Sequence, residues 1–271
     1  MAKTFSPAAF EVGSFNRGDR IPRKQKVFIT LPAYDEGKGL DEMLASIRRL
    51  LSNQTFDYHV LVVDDGSQDD TVEVAIEAGN KMPVTVISHR ENQGLAAAIR
   101  TGLANAVELS EHDDVILTMD ADNTHPIGLI PRLVDKVNAG YDVVVASRFR
   151  KGSRVLGVPG YRQITSVGVA VLFKILFPIK GIRDYTCGFR AYRSSALRST
   201  LTHYGENFVS EQGFSCMVDV LLKLSMRNLI MAEVPMILRY DLKEGASKMN
   251  VVSTIRDTLS LAIKRRLGVM N

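Results

Sequence analysis

Tryptophan is missing from the chain, and cysteine nearly so, with two residues in 271. Two thiols, Cys187 and Cys216, make no disulfide framework and favour a reducing compartment. No Cys/His spacing offers a zinc site. No uninterrupted apolar run reaches the ~18 residues that a membrane-spanning helix needs. The nearest, "ITSVGVAVLFKILFPI" at 164–179, is interrupted by Lys174. The start lacks the apolar core of a signal peptide, and residues 1–25 read as a poorly ordered arm or surface-hugging tail. A formal charge of only +4 gives no ground for a nucleic-acid partner. A Gly-Lys-Ser/Thr phosphate loop is also absent. "GKGLDE" at 37–42 carries two glycines, but Glu42 stands where a dinucleotide fingerprint needs a third small residue. These gaps argue against P-loop and hydride-transfer chemistry.

What is present is an ordinary globular balance, 45% hydrophobic and 24% charged, with enough apolar surface for a sizeable core. Strand-like runs at 26–34, 58–67, 84–89, 114–122 and 142–148 alternate with helical periods at 40–51, 69–79, 94–109 and 126–140. In 40–51 the spacing puts Leu40, Met43, Leu44, Ile47 and Leu51 on one face. The alternation predicts an α/β fold with a mostly parallel central sheet and helices on both faces. After about residue 150 the rhythm changes. A basic loop (147–162) leads to the apolar segment 164–179, then "CGFRAYR" (187–193), a helix (214–227), one strand (229–240) and a loop (241–250). One domain over 26–250 is expected. Residues 251–271 are expected to form an amphipathic helix on the domain or on a membrane surface.

Ligands of such sheets bind at the carboxyl ends of the strands. Three strand ends here carry chemistry: Tyr34-Asp35-Glu36, Asp64-Asp65-Gly66 and Asp120-x-Asp122. The last fits two reactions. A phosphatase would use Asp120 as nucleophile and Asp122 as acid. That motif usually lies on the first strand and needs a downstream acidic pair, whereas here three strands precede it and later aspartates, including Asp184, are isolated. Alternatively, the two carboxylates hold a hard divalent cation, Mg2+ or Mn2+, against the diphosphate of a sugar nucleotide. Helix capping would account for one carboxylate but hardly for both. Of Asp64 and Asp65, one suits a base or ribose contact and the other a helix N-terminus. Arg148 directly ends a strand and suits an anion, with Arg150, Lys151 and Arg154 following it. In "KEGASK", Lys243, Ser247 and Lys248 flank Gly245 as in a loop that closes over phosphates. His125, a lone histidine, reads as structural.

Taken in order, "LPAYDEGKGL", "VVDDGSQDDT", "ENQGLAAAIRTGL", "MDADNTHP", "VVASRFRKGS", "DYTCGFRAYR" and "EVPMILRY…GASKM" resemble the family 2 glycosyltransferases of GT-A fold. Within them the chain looks closest to the dolichyl-phosphate mannose synthase and polyprenyl-phosphate sugar transferase branch. The resemblance covers roughly residues 26–250, with Asp35 in place of the family's usual asparagine. It implies that Pro32, Tyr34, Glu36, Val63 and Asp65 contact the nucleotide. Asp120, Ala121 and Asp122 would hold diphosphate and metal, and Arg148 and Lys248 would bind phosphates. Asp120, Asp122 and Arg148 would form the catalytic set. Mannose synthases of that branch have an arginine in the closing loop where this chain has Leu242, so Arg239 or Lys243 would substitute, with Arg150 and Lys151 as further phosphate candidates.

The implied reaction is an inverting transfer from a GDP- or UDP-sugar to a polyprenyl phosphate, dolichyl or undecaprenyl. Transfer to a hydroxyl of a small molecule or glycan is the alternative, as is an idle subunit that binds sugar nucleotide. The absence of Gln-x-x-Arg-Trp favours single transfer. The branch's membrane helices are absent, which implies a cytoplasmic protein, soluble or peripheral on the membrane face, or one with a membrane partner subunit. Segment 164–179 fits either a bilayer surface or the core.

Overall fold

The computed structural model describes residues 23–213, 215–242 and 260. Lys243, Lys248, most of the N-terminal arm and the last helix, except Ser260, therefore lie outside the described residues. Nine strands and seven α-helices are formed among the described residues. In order they are β1 (Lys26–Ala33), α1 (Gly37–Leu51), β2 (Asp57–Asp64), α2 (Thr71–Gly79), β3 (Val84–Ser88) and α3 (Leu95–Leu109). Next come β4 (Val115–Thr118), a 3-10 turn (Ile127–Leu129), α4 (Ile130–Asn138), β5 (Val143–Ser147), β6 (Arg154–Leu156) and α5 (Gly160–Leu176). The chain continues with β7 (Arg190–Arg193), α6 (Ser194–Tyr204), α7 (Ser215–Ser225), β8 (Met231–Pro235) and β9 (Ile237–Arg239).

Seven strands make the main sheet in the order β3-β2-β1-β4-β7-β5-β8. All neighbours are parallel except β7, which runs antiparallel to both β4 and β5. The chain moves outward from β1 to β3 and then returns to β4. Right-handed crossovers therefore place α1 and α2 on one face and α3 on the other, in keeping with α1 against α2 and α3 against β1 and β2. The β1, β2, β4 and β5 runs are buried over most or all of their length, as two covered faces require. The five α1 residues placed on one face by their spacing are all buried.

One expectation about the second half needs correction, and one segment gains definition. The run 229–240 is not one strand. It breaks at Met236, whose N–H bonds the Ser147 carbonyl at 3.0 Å, and β9 then leaves the main sheet to pair with β6. Segment 164–179 becomes α5, which starts earlier, at Gly160. One side of it packs against the core and the other does not: Ala170 and Phe173 are buried, whereas Val167, Val171 and Ile175 are 47%, 52% and 72% exposed.

Close packing of α3 on the sheet depends on Gly102. A Cβ there would lie 2.0 Å from Thr30 Cγ2 and 3.2 Å from Val63 Cγ2, both on buried side chains. Gly102→Ala should therefore destabilise by about 1–3 kcal/mol through overpacking, although alanine is the better helix former by ~1 kcal/mol. Urea denaturation reads the balance. An unchanged or higher midpoint would mean that α3 has room to move off the sheet.

Candidate active site

The ends of β1 and β2 are stitched into one surface. Asp65 N–H bonds the Ala33 carbonyl at 2.8 Å. Asp35 takes a left-handed backbone, φ 50°, which Asn and Asp tolerate better than other side chains. Its N–H reaches Ser67 Oγ at 2.9 Å, and its Oδ1 accepts Gln68 N–H at 2.8 Å. Glu36 and Gly37 donate backbone N–H groups to Thr71 Oγ1 and Asp69 Oδ2. Aspartate at 35 thus serves this turn as asparagine would. Pro32, Tyr34 and Glu36 are partly exposed along this edge.

Asp65 is held more tightly than its assignment to the nucleotide implied. Its side chain is 4% exposed, and His89 Nδ1 lies 2.7 Å from Oδ1. Gln93 N–H also reaches Oδ1, at 3.0 Å, and Gly94 N–H reaches Oδ2, at 2.7 Å. His89 Nε2 in turn meets Thr101 Oγ1 at 3.0 Å. The carboxylate therefore pins the loop between β3 and α3. Val63 is fully buried, and its side chain packs beside Gly102 rather than along the strand-end edge.

Asp120 and Asp122 follow β4 directly. Asp120 is 38% exposed at its side chain, and its N–H donates to His125 Nδ1 at 3.1 Å. An accepting Nδ1 leaves the proton of a neutral His125 on Nε2, which lies 3.7 Å from Asp120 Oδ2. His125 is buried and stacks on Phe189, with centroids 5.1 Å apart. It supports the loop, as expected of a structural histidine. Asp122 Oδ1 accepts Thr124 Oγ1 at 2.7 Å, a short Asx-type link that keeps the turn closed. Ala121 between them is buried. Asn123 takes φ 59° and donates Nδ2–H to the Gly39 carbonyl at 2.8 Å, which ties this turn to α1.

Arg148 follows β5 and is already committed on two sides. Nε and Nη2 bond the Asp184 carboxylate at 2.8 and 2.7 Å, and Nη2 also reaches Thr186 Oγ1 at 2.6 Å. Burial works against the charge on each partner, and their attraction more than offsets it. Asp184 is held below the usual carboxylate range and Arg148 above the usual guanidinium value. Asp120 adds to the hold on Arg148, so the acidic turn and the arginine share one field. A Cβ at Gly188 would come within 3.2 Å of Asp120 Oδ1, so the 184–189 loop lies directly against the acidic turn.

The other basic candidates are more dispersed. Arg150 and Lys151 are exposed on the turn after β5. Arg239 N–H bonds the Thr124 carbonyl at 3.0 Å, which brings β9 against the acidic turn, but its guanidinium pairs with Asp241 at 2.9 Å. The structure thus brings together Asp120, Asp122 and Arg148, and adds Asp184 and His89. Sequence reasoning missed both. Asp184 stood only as an isolated aspartate, although "DYTCGFRAYR" was itself a signal.

Comparison with known proteins identifies the family and the fold. Residues 28–201 match the family described as Glycosyl transferase family 2. A dolichol-phosphate mannosyltransferase of Pyrococcus furiosus is 34% identical over 199 residues, 73% of this chain and 53% of that protein. This chain thus spans about half the length of that relative. A polyprenol monophosphomannose synthase of Mycolicibacterium smegmatis is 29% identical over 255 residues, 93% of this chain and 91% of that protein. Among solved structures, glucosyl-3-phosphoglycerate synthase from Mycobacterium tuberculosis, in complex with Mn2+, UDP and glucosyl-3-phosphoglycerate, aligns with a TM-score of 0.62 at 19% identity. The alignment covers 92% of this chain and 81% of that one, which shows a shared fold. An α/β sheet of this order, a strand-end Asp-x-Asp and a match over most of the domain lead to one assignment: the chain belongs to glycosyl transferase family 2.

Proposed function

We propose that the protein moves a sugar, with inversion, from a GDP- or UDP-sugar to a polyprenyl phosphate at a membrane surface. The observation that carries this reading is that Asp120 and Asp122, after β4, and Arg148, after β5, follow strands that end at one edge of the sheet, in a chain whose relatives are named for polyprenyl-phosphate transfer. Asp120 and Asp122 would hold Mg2+ or Mn2+. Two carboxylates at one strand end suit a hard cation that takes its other ligands from diphosphate and water. Once bound, the cation would neutralise the charge that develops on the leaving diphosphate.

The chain's own residues carry the rest. Arg148 presents a fixed positive charge beside the acidic turn and stabilises phosphate oxygens. Pro32, Tyr34 and Glu36 line the edge where the nucleotide would lie. Asp65 acts chiefly by fixing the 89–94 loop beside it. A lipid phosphate is already anionic at neutral pH, so the attack needs no strong general base.

An acceptor at a membrane surface is supported by α5. Among the described residues no helix is long and apolar enough to cross a membrane. Val167, Val171 and Ile175 recur every four residues and form one exposed stripe. Leu156, Ile237 and Leu242, on β6, β9 and the turn after it, are also exposed. The α5 stripe would rest in the headgroup region while the charged loops meet the lipid phosphate.

The deciding experiment offers the protein polyprenyl phosphate in detergent, radiolabelled GDP-mannose or UDP-glucose, and Mg2+ or Mn2+. Label should enter the organic phase only when metal is present. Donor consumption with no organic-phase label would move the acceptor to a hydroxyl. Asp122→Asn should cut turnover by a factor on the order of 100 or more, and unchanged turnover would remove the metal assignment. Val171→Glu with Ile175→Glu should weaken co-sedimentation with anionic vesicles while leaving nucleotide binding intact. Equal sedimentation would assign the stripe to another contact.

A further inference from the structure

Behind Arg148 lies a chain of buried polar contacts that the proposed reaction does not itself require. Glu233 is on β8 and is 5% exposed. Its Oε1 accepts the backbone N–H groups of Arg183 and Asp184, at 2.6 and 2.7 Å. Burial pushes its carboxyl up, against the pull of those two N–H groups. Asp184 is fully buried. Beyond the two guanidinium bonds, its Oδ2 accepts Arg148 N–H at 3.0 Å, and its Oδ1 accepts Thr186 and Cys187 N–H at 3.3 and 3.2 Å. The guanidinium also lies near the Phe149 ring, 5.4 Å from its centroid. Among the described residues, Arg148 thus has its Nε and Nη2 taken and its orientation set, which leaves Nη1 as the remaining donor group of the fork.

We propose that Glu233 and Asp184 are positioning residues: Glu233 fixes the 183–184 turn, the turn fixes Asp184, and Asp184 aims Arg148 so that Nη1 meets a phosphate oxygen. Two buried carboxylates in series are costly if their only task is cohesion, because apolar side chains of similar volume serve that purpose as well or better. They are justified where a long, flexible side chain must be held in one geometry before the substrate arrives. The contacts also form a relay, from β8, the neighbour of β5, through the 183–184 turn to a guanidinium beside Asp120. The role in transfer rests on the proposed reaction. The aiming of Arg148 does not. The phosphate belongs either to the donor diphosphate or to the lipid acceptor, and the two sources separate in kinetics.

The test uses the full chain with Glu233→Leu, Glu233→Gln, Asp184→Asn, Arg148→Gln and the double variant Glu233→Leu with Arg148→Gln. Transfer is measured with each substrate varied in turn, and the reactivity of Arg148 towards phenylglyoxal is followed by mass spectrometry. Glu233→Leu should lower kcat/KM about 10-fold, and Glu233→Gln, which keeps the accepting oxygen, should stay within roughly 3-fold of the parent. A rise in the donor KM alone assigns the phosphate to the donor, and a rise in the acceptor KM alone assigns it to the lipid. In the Arg148→Gln background, Glu233→Leu should have no further effect on turnover, because residues acting through one group are not additive. Labelling of Arg148 should rise several-fold in Glu233→Leu and Asp184→Asn.

Multiplying effects in the double variant, or unchanged Arg148 labelling, would overturn the proposal. If Glu233→Leu is not recovered folded, Asp184→Asn in the same two backgrounds carries the same comparison. If the parent protein transfers no sugar to lipid phosphate, the proposed function fails, and labelling alone decides the positioning role.

Discussion

Between β4 and β5 the sheet admits a strand of opposite direction, which brings the beginning of β7, not its end, to the edge where its neighbours deliver Asp120 and Arg148. The loop before β7 therefore enters the site from within the sheet. Thr118 Oγ1 donates to the Gly188 carbonyl at 2.7 Å, and Ala146 N–H donates to the Phe189 carbonyl at 2.9 Å, so both flanking strands grip the loop. Phe189 then supports His125, and Gly188 allows Asp120 to approach. Arg190, fully buried, locks the arrangement by donating to the carbonyls of Cys187, Tyr185 and Met217. A buried guanidinium is tolerated only with such partners.

The same loop explains how Arg148 is anchored while part of its guanidinium keeps donors for a ligand. A guanidinium carries five N–H donors in a fixed fork, so two edges can be anchored while a third faces a ligand. Lysine has no such division of labour. Asp184 also lies within the field of buried Arg190, which helps to hold its negative charge. The corner therefore pairs strong anchoring with a positive charge beside the acidic turn.

Helices with a clean 3.6-residue stripe were readable from sequence because burial alone decides them; α1 is the plain case. The parallel half of the sheet was readable for a similar reason, since doubly covered strands are continuously apolar. β7 was not. Four residues have no measurable period, and nothing local in "RAYR" encodes the direction of a strand. The break at Met236 was hidden because β8 and β9 share one apolar run, and only the pairing of β9 with β6 separates them. The placing of Asp120, Asp122 and Arg148 at one sheet edge was legible because each follows an apolar strand run. The partners of Asp65 and Arg148 were not. His89 stands 24 residues from Asp65, and Asp184 stands 36 from Arg148. Such pairings exist only once the strands are ordered.

The apolar segment 164–179 was ambiguous because composition does not say which way a helix face turns. The fold divides it into a buried and an exposed side, and further apolar residues are exposed on β6 and β9. β9 joins the acidic turn through Arg239 N–H and the Thr124 carbonyl, and β6 joins β9. Leu156 and Ile237, exposed on these two strands, are therefore linked by backbone hydrogen bonds to the turn that carries Asp122. On the proposed reading, a lipid phosphate approaching along this apolar face would meet Arg150 and Lys151 before it reached Arg148. Exposed cations that keep their water would draw the headgroup in, and the anchored arginine would align it. Attraction by mobile charge and alignment by fixed charge are separate tasks. The two kinds of basic residue on this edge, exposed on the loop and locked on the strand end, match that division.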